Sequence, residues 1–134
     1  MFVGLQDARS VVLQIKNDDR YYALRDRDYL SDNEINRIET LYPTYRILSY
    51  YDFENYLYHP DNVAELNPVG FNRDTYTVEI VLQKRARFTS VLLNLKSSRQ
   101  PYEELKTDDL SDKTPDSIVD DLQSDDFERF YKFW

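Results

Sequence analysis

The chain has 134 residues, 41% of them apolar and 15% aromatic, which is one domain's length and allows a real core in which Tyr and Phe supply much of the volume. It contains no cysteine, so disulfides, thiolate metal sites and a cysteine nucleophile are excluded, and a reducing cytoplasm is the simplest compartment. With 17 basic and 25 acidic residues the net charge is −8, which argues against broad nucleic-acid binding by the whole surface and leaves only local patches for it.

Taken in chain order, residues 5 to 17 place Leu5, Ala8, Val12 and Ile15 at helical spacing and predict a helix packed on a sheet, ended by Asn17-Asp18-Asp19. Residues 21 to 24 (YYAL) are apolar and stop at Arg25-Asp26-Arg27-Asp28, the pattern of a buried strand that emerges into water at its carboxyl end. Ser31 or Asp32 can cap the next helix, with Glu34 in its first turn, Ile35, Ile38, Leu41 and Tyr42 at helical spacing and Pro43 as the stop. Residues 45 to 48 (YRIL) then make a second strand. A strand, helix and strand in this order form a right-handed βαβ unit with parallel strands. Ligands of open parallel sheets collect beyond the carboxyl ends of the strands, so Asp26, Asp28 and the segment after Ser49, with Glu54, are expected on one rim.

After ENYL, Pro60 at a first helical turn starts a short helix through Glu65, and Pro68 and Gly70 break the chain. His59, the only histidine, reads as an exposed loop residue. The pairs Tyr21-Tyr22 and Tyr50-Tyr51 read as core and rim packing rather than a base-stacking platform. Residues 74 to 97 fit a strand over Tyr76, Val78, Ile80 and Leu82, yet a helical stripe runs through a longer window, and one long helix is preferred. That helix is expected to bury Val78, Val81, Leu82, Leu92 and Leu95 and to expose Lys84, Arg87 and Lys96. From Asn72 to Gln100 there are six Lys or Arg against two acids, whereas from Tyr102 to Glu128 there are eleven acids against two lysines. The basic stripe reads first as a solvated face that pairs with the acidic segment, and second as a DNA contact. Residues 106 to 116 read as a loop, a short helix follows through Leu122, and Ser124-Asp125-Asp126 caps a last helix carrying Phe127, Phe130 and Tyr131.

The run LRDRDYLSDNEI, followed after a helix and a strand by YYDFENYLYHPDNV, resembles the TOPRIM (topoisomerase-primase) domain of ATPases of the OLD (overcoming lysogenization defect) type, over about residues 5 to 66. The resemblance implies an α/β fold: a TOPRIM-like parallel sheet flanked by helices, with residues 1 to 66 a partial core and 67 to 134 a helical extension with a basic helix and an acidic tail. It implies a Mg2+- or Mn2+-dependent endonuclease-type domain, normally coupled to an ATPase on the same polypeptide and acting on DNA. Asp26, Asp28 and Glu54 would be the metal ligands and Glu54 the catalytic carboxylate. Carboxylate oxygens are hard ligands suited to these ions, which activate a water and neutralise a leaving oxygen.

The plain alternative makes Asp26, Arg27 and Asp28 a solvated turn and Glu54 a helix cap. Two departures from the family pattern weigh on activity. No strand precedes residues 5 to 17 to carry the family's earlier glutamate, and Lys132-Phe133-Trp134 reads as a cut through a longer chain, so this piece alone is expected to be inactive. With only Gly4 and Gly70, a phosphate-cradling loop is excluded. A non-catalytic TOPRIM-like interaction or regulatory module is the second expectation. No membrane role is expected: no apolar run reaches the length of a span, and the first residues lack the basic start and apolar run of a signal peptide.

Overall fold

The computed structural model describes residues 8–99 and 116–134. Helices dominate: α1 (Ala8–Asn17), β1 (Ala23–Arg25), α2 (Asp32–Leu41), β2 (Tyr45–Ile47), α3 (Phe53–Leu57), α4 (Pro60–Leu66), α5 (Arg73–Ser98), α6 (Asp116–Gln123) and α7 (Phe127–Tyr131) follow in order. The two strands pair in parallel, Ala23 opposite Tyr45 and Arg25 opposite Ile47, with α2 as the crossover expected from the βαβ pattern. The fold is thus helix-rich around a small parallel sheet. Leu5 and most of the 106 to 116 loop lie outside the described residues, as does the side chain of Val12.

Local chemistry sets the helix ends. Ser31 Oγ accepts from Glu34 N (3.2 Å) while the Glu34 carboxylate accepts from Ser31 N (2.7 Å), a reciprocal capping box that starts α2. Asp52 and Asn55 repeat the device at α3, Pro60 occupies the first turn of α4, and Asn72 and Asp126 cap α5 and α7. Glu39 on α2 accepts the Ile47 N–H at 3.0 Å, so a side chain serves that edge of β2 where another strand would.

Ile15, Leu30, Ile38, Tyr45 and Ile47 form a cluster under the sheet. A second cluster joins Tyr29 to Leu95, Ile118, Leu122 and Phe133, and a third joins Ile80 to Phe130 and Tyr131. The second draws residues from both sides of position 66, and the buried pair Arg99–Glu34 (2.6 Å) ties the end of α5 to the α2 cap.

The long helix forms as expected, with Leu95 buried, Val81 and Leu92 packed on the core and Arg87 and Lys96 exposed, but Lys84 turns inward and Val78 and Leu82 outward. Ile80, Lys84 and Leu95 are buried, with Phe88, Val91 and Leu92 packed beside the second cluster, whereas Val78 and Leu82 are 56% and 51% exposed. Steps of three and four residues from Ile80 through Lys84, Phe88, Val91 and Leu95 define a continuous stripe, and a lysine lies on it. The Lys84 stem packs as core while its ammonium donates to the Ser124 carbonyl (2.5 Å) over the Phe130 ring, 4.4 Å from the centroid. Desolvation lowers the pKa of that ammonium, partly offset by Asp125. Arg73 meets Asp61 (2.6 Å) and Arg85 meets Asp125 (3.4 Å), so much of the basic stripe is matched within the fold. Among the described residues no helix is long and apolar enough to cross a membrane.

Candidate functional site

The rim beyond the strand ends is built from two loops. After β1 the chain passes through Asp26 and Arg27 into Asp28, whose φ of 51° is left-handed, a conformation Asp tolerates better than most residues. The strand therefore ends at Arg25 and does not run through Asp-x-Asp, so the alternation that would have turned both aspartates toward one ion is not made. Arg27 points inward instead. It is 2% exposed and donates to the carbonyls of Leu30 (2.9 Å) and Ser49 (3.0 Å) and to Asp32 Oδ1 (2.6 Å), with its guanidinium 4.7 Å from the Phe133 ring centroid. Its neighbours are thereby held at the surface. Asp28 N donates to the Tyr51 carbonyl (2.9 Å), joining this loop to the one after β2. Asp28 Oδ2 accepts from Arg25 Nη2 at 2.7 Å.

The second loop supplies Asp52 and Glu54. Asp52 Oδ1 accepts from Asn55 N (3.1 Å) at the start of α3, and Glu54 is exposed in the first turn. The rim thus holds four carboxylates near one another: partial desolvation, then the charges of Asp28, Asp52 and Glu54, raise the Asp26 carboxyl above the usual range, with Arg25 opposing. Asp52 was missed by the sequence reading, although its Asp-x-x-Asn spacing before ENYL is the signal of a capping residue that faces the rim.

As a donor set, carboxylate oxygens suit Mg2+ or Mn2+. The positions do not fit: among the described residues no three His, Cys, Asp or Glu side chains are placed to hold a metal ion together, and Asp28 is held by Arg25. Asp26, Asp28 and Glu54 share a rim without converging on a centre, and no catalytic step follows for Glu54 from this arrangement.

His59 departs from its expectation as an exposed loop residue, because the Pro60 turn places it at the α4 N-cap, only 9% exposed. Its Nδ1 accepts from Asp61 N (3.2 Å), which leaves the proton on Nε2 to donate to Glu128 Oε1 (2.9 Å). Tyr50 donates to the other oxygen of Glu128 (2.9 Å), and Tyr50, Phe127 and Tyr131 surround the ring. Burial, with the Glu128 contact, pushes the Tyr50 hydroxyl up to about 12. Tyr50 and Tyr51 pack as expected, Tyr51 edge-on to Tyr29, while Tyr22 is 83% exposed. Compared with known family models, curated proteins and solved structures, the chain matches none of them.

Proposed function

We propose that this chain is a TOPRIM-like module of the OLD type that acts through interaction or regulation, beside an ATPase on the same polypeptide, rather than by cutting DNA itself. The observation that supports this reading is the Arg25–Asp28 pair at 2.7 Å: one of the two Asp-x-Asp carboxylates is neutralised by the chain's own arginine, where a nuclease would keep it for a cation. The rim then serves as an acidic surface at the end of a parallel sheet, a usual place for recognition in such folds.

A second reading, a rim that contributes to a Mg2+- or Mn2+-dependent DNA endonuclease site, is favoured by the Asp26 carboxyl, raised first by partial desolvation and then by the charges of Asp28, Asp52 and Glu54, since a divalent ion relieves that second, repulsive part. Thermal melts with Mn2+ at constant ionic strength separate the two. For the interaction module, wild type and Asp26→Asn/Asp28→Asn shift equally. For the nuclease reading, the wild type alone gains on the order of 1.4 kcal/mol at about ten times the dissociation constant, a rise of a few degrees, and the double substitution abolishes it.

The same rim predicts a pH effect. Because the folded-state pKa of Asp26 lies above its unfolded value, ionisation destabilises the fold, and that loss fades as pH falls through the raised pKa. Asp26→Asn is therefore expected to stabilise the protein at pH 7 and to lose this advantage in acid. Melting curves of the two proteins across pH 3 to about 7 check it, and a constant difference would rule out the charge as its source.

A further inference from the structure

A cleft of about 380 Å³ opens between α3, α5 and the segment after α7, in the size range of small-ligand sites. Three carboxylates line it: Asp52 at the α3 cap, Glu54 on α3 and Glu79 on α5. No Lys, Arg or His is among its lining residues, although elsewhere the acidic side chains Glu34, Asp32, Asp61 and Asp121 each meet a basic partner. The rest of the lining is Tyr58, Tyr76, Tyr131 and Trp134, together with Asn55, Ile80 and Gln83.

The orientation of these rings bears on what the cleft can take. Tyr76 donates its hydroxyl to the Tyr58 carbonyl (2.9 Å) and Tyr131 donates to the Asn55 carbonyl (3.0 Å). Those hydroxyls are thereby engaged with backbone; Tyr131 is itself buried and stacked on Phe127, so what remains for a ligand is ring surface of Tyr58, Tyr76 and Trp134 beside carboxylate oxygen and the Gln83 amide. Burial, followed by neighbouring tyrosines and the charges of Asp52 and Glu128, also drives the Tyr131 hydroxyl pKa upward, consistent with a negative field on this side of the molecule. An anion would meet three like charges and little to neutralise it. A neutral apolar ligand would desolvate carboxylates without compensation.

We propose that this cleft binds an organic cation of the guanidinium type, as a free small molecule or as the arginine side chain of a partner polypeptide. A guanidinium is flat and weakly hydrated; its face stacks on Trp and Tyr rings while its N–H edge donates to carboxylates, which matches a wall of rings beside a set of acids. An ammonium, compact and strongly hydrated, uses only the second half of that arrangement. The cleft shares Asp52 and Glu54 with the rim but differs from a divalent-metal site in its chemistry and extent, since Glu79, Tyr76 and Trp134 belong to it and Asp26 and Asp28 do not.

Trp134 is the only tryptophan of the chain and lines the cleft, so its fluorescence reports binding directly. Methylguanidinium is titrated at constant ionic strength against N-methylurea, its neutral isostere, and acetyl-Ala-Arg-Ala-amide against its citrulline counterpart. The expected result is a saturable change with the cations, absent with the neutral probes, and weakened at least tenfold in Glu54→Gln/Glu79→Gln. Both substituted side chains are exposed, so the fold is retained, which circular dichroism verifies. A peptide that binds at least tenfold tighter than methylguanidinium identifies the ligand as a partner's arginine; equal affinities identify a free small cation. No saturable response, an equal response to urea, or an undiminished response in the double variant overturns the proposal. Glu79→Gln alone, which leaves the rim carboxylates Asp26, Asp28, Asp52 and Glu54 in place, should also weaken binding, and this keeps the outcome separate from that of the Mn2+ melts.

Discussion

Arg99→Met is expected to destabilise the protein by about 3–5 kcal/mol, the range for removing one partner of a buried ion pair. The two side chains are 6% and 7% exposed, and Arg99 makes a two-pronged contact: Nη2 to Glu34 Oε1 at 2.6 Å and Nη1 to Oε2 at 3.1 Å. Nη1 also donates to the Tyr29 carbonyl at 2.6 Å. Without the guanidinium, a carboxylate already engaged in the α2 capping box is left buried and uncompensated, and the end of α5 loses its anchor on the sheet half of the fold. The melting temperature should fall by roughly 10 °C or more for a chain of this length. Urea unfolding of Arg99→Met, Glu34→Gln and the double variant checks the pair itself. Glu34→Gln keeps an acceptor for the Ser31 N–H, so the double variant should recover part of the loss through a favourable coupling energy. A cost below about 1 kcal/mol for Arg99→Met would place the pair with solvent-screened surface bridges instead.

Arg27→Met is expected to cost about 2–4 kcal/mol, with an effect on the rim as well as on stability. Arg27 is nearly fully buried, and methionine can fill the stem's space over Phe133 but cannot donate to the Leu30 and Ser49 carbonyls. The Asp32 contact adds less, because that carboxylate side chain is 57% exposed and screened by water. The Ser49 bond spans from the β1 loop to the β2 loop, so its loss should loosen the segment that carries Asp26 and Asp28. Hydrogen exchange should then show faster opening of the Asp28 N–H, which is bonded to the Tyr51 carbonyl. Arg46→Met is the contrast: its side chain is 58% exposed with a 4.0 Å contact to Glu39, and it should change stability by no more than about 0.5 kcal/mol. Similar costs for the two substitutions would show that burial of Arg27 contributes nothing specific.

The elements that the sequence made legible are those set by neighbours in the chain. Ser31 and Glu34 announce the start of α2, Pro60 that of α4, and Asp126 that of α7, because a cap is a contact between residues two or three apart. The βαβ order carried the parallel pairing of β1 and β2, since handedness and crossover length leave few alternatives. The same reasoning brought Asp26, Asp28 and Glu54 to one rim.

What the pattern did not carry was decided by individual side-chain contacts, several of them between distant segments. An Asp-x-Asp run reads the same whether the strand continues or turns, and it turns here because the guanidinium of Arg27 reaches carbonyls at Leu30 and Ser49. Arg25, three positions before Asp28, holds that carboxylate in an ion pair that the spacing of the acids alone does not announce. His59 looked like a loop residue until Glu128, 69 positions away, supplied its partner. Lys84 looked solvent-facing because a lysine is polar by composition, whereas the Phe130 ring and the Ser124 carbonyl make its burial affordable. The aromatic and acidic walls of the cleft come from α3, α5 and the last residues of the chain, and no periodicity within any one of them announces the others. Local hydrogen bonding and steric rules therefore determined where the helices and strands of this protein lie, while long-range burial and charge pairing decided which faces turn inward and which charges remain available for a ligand.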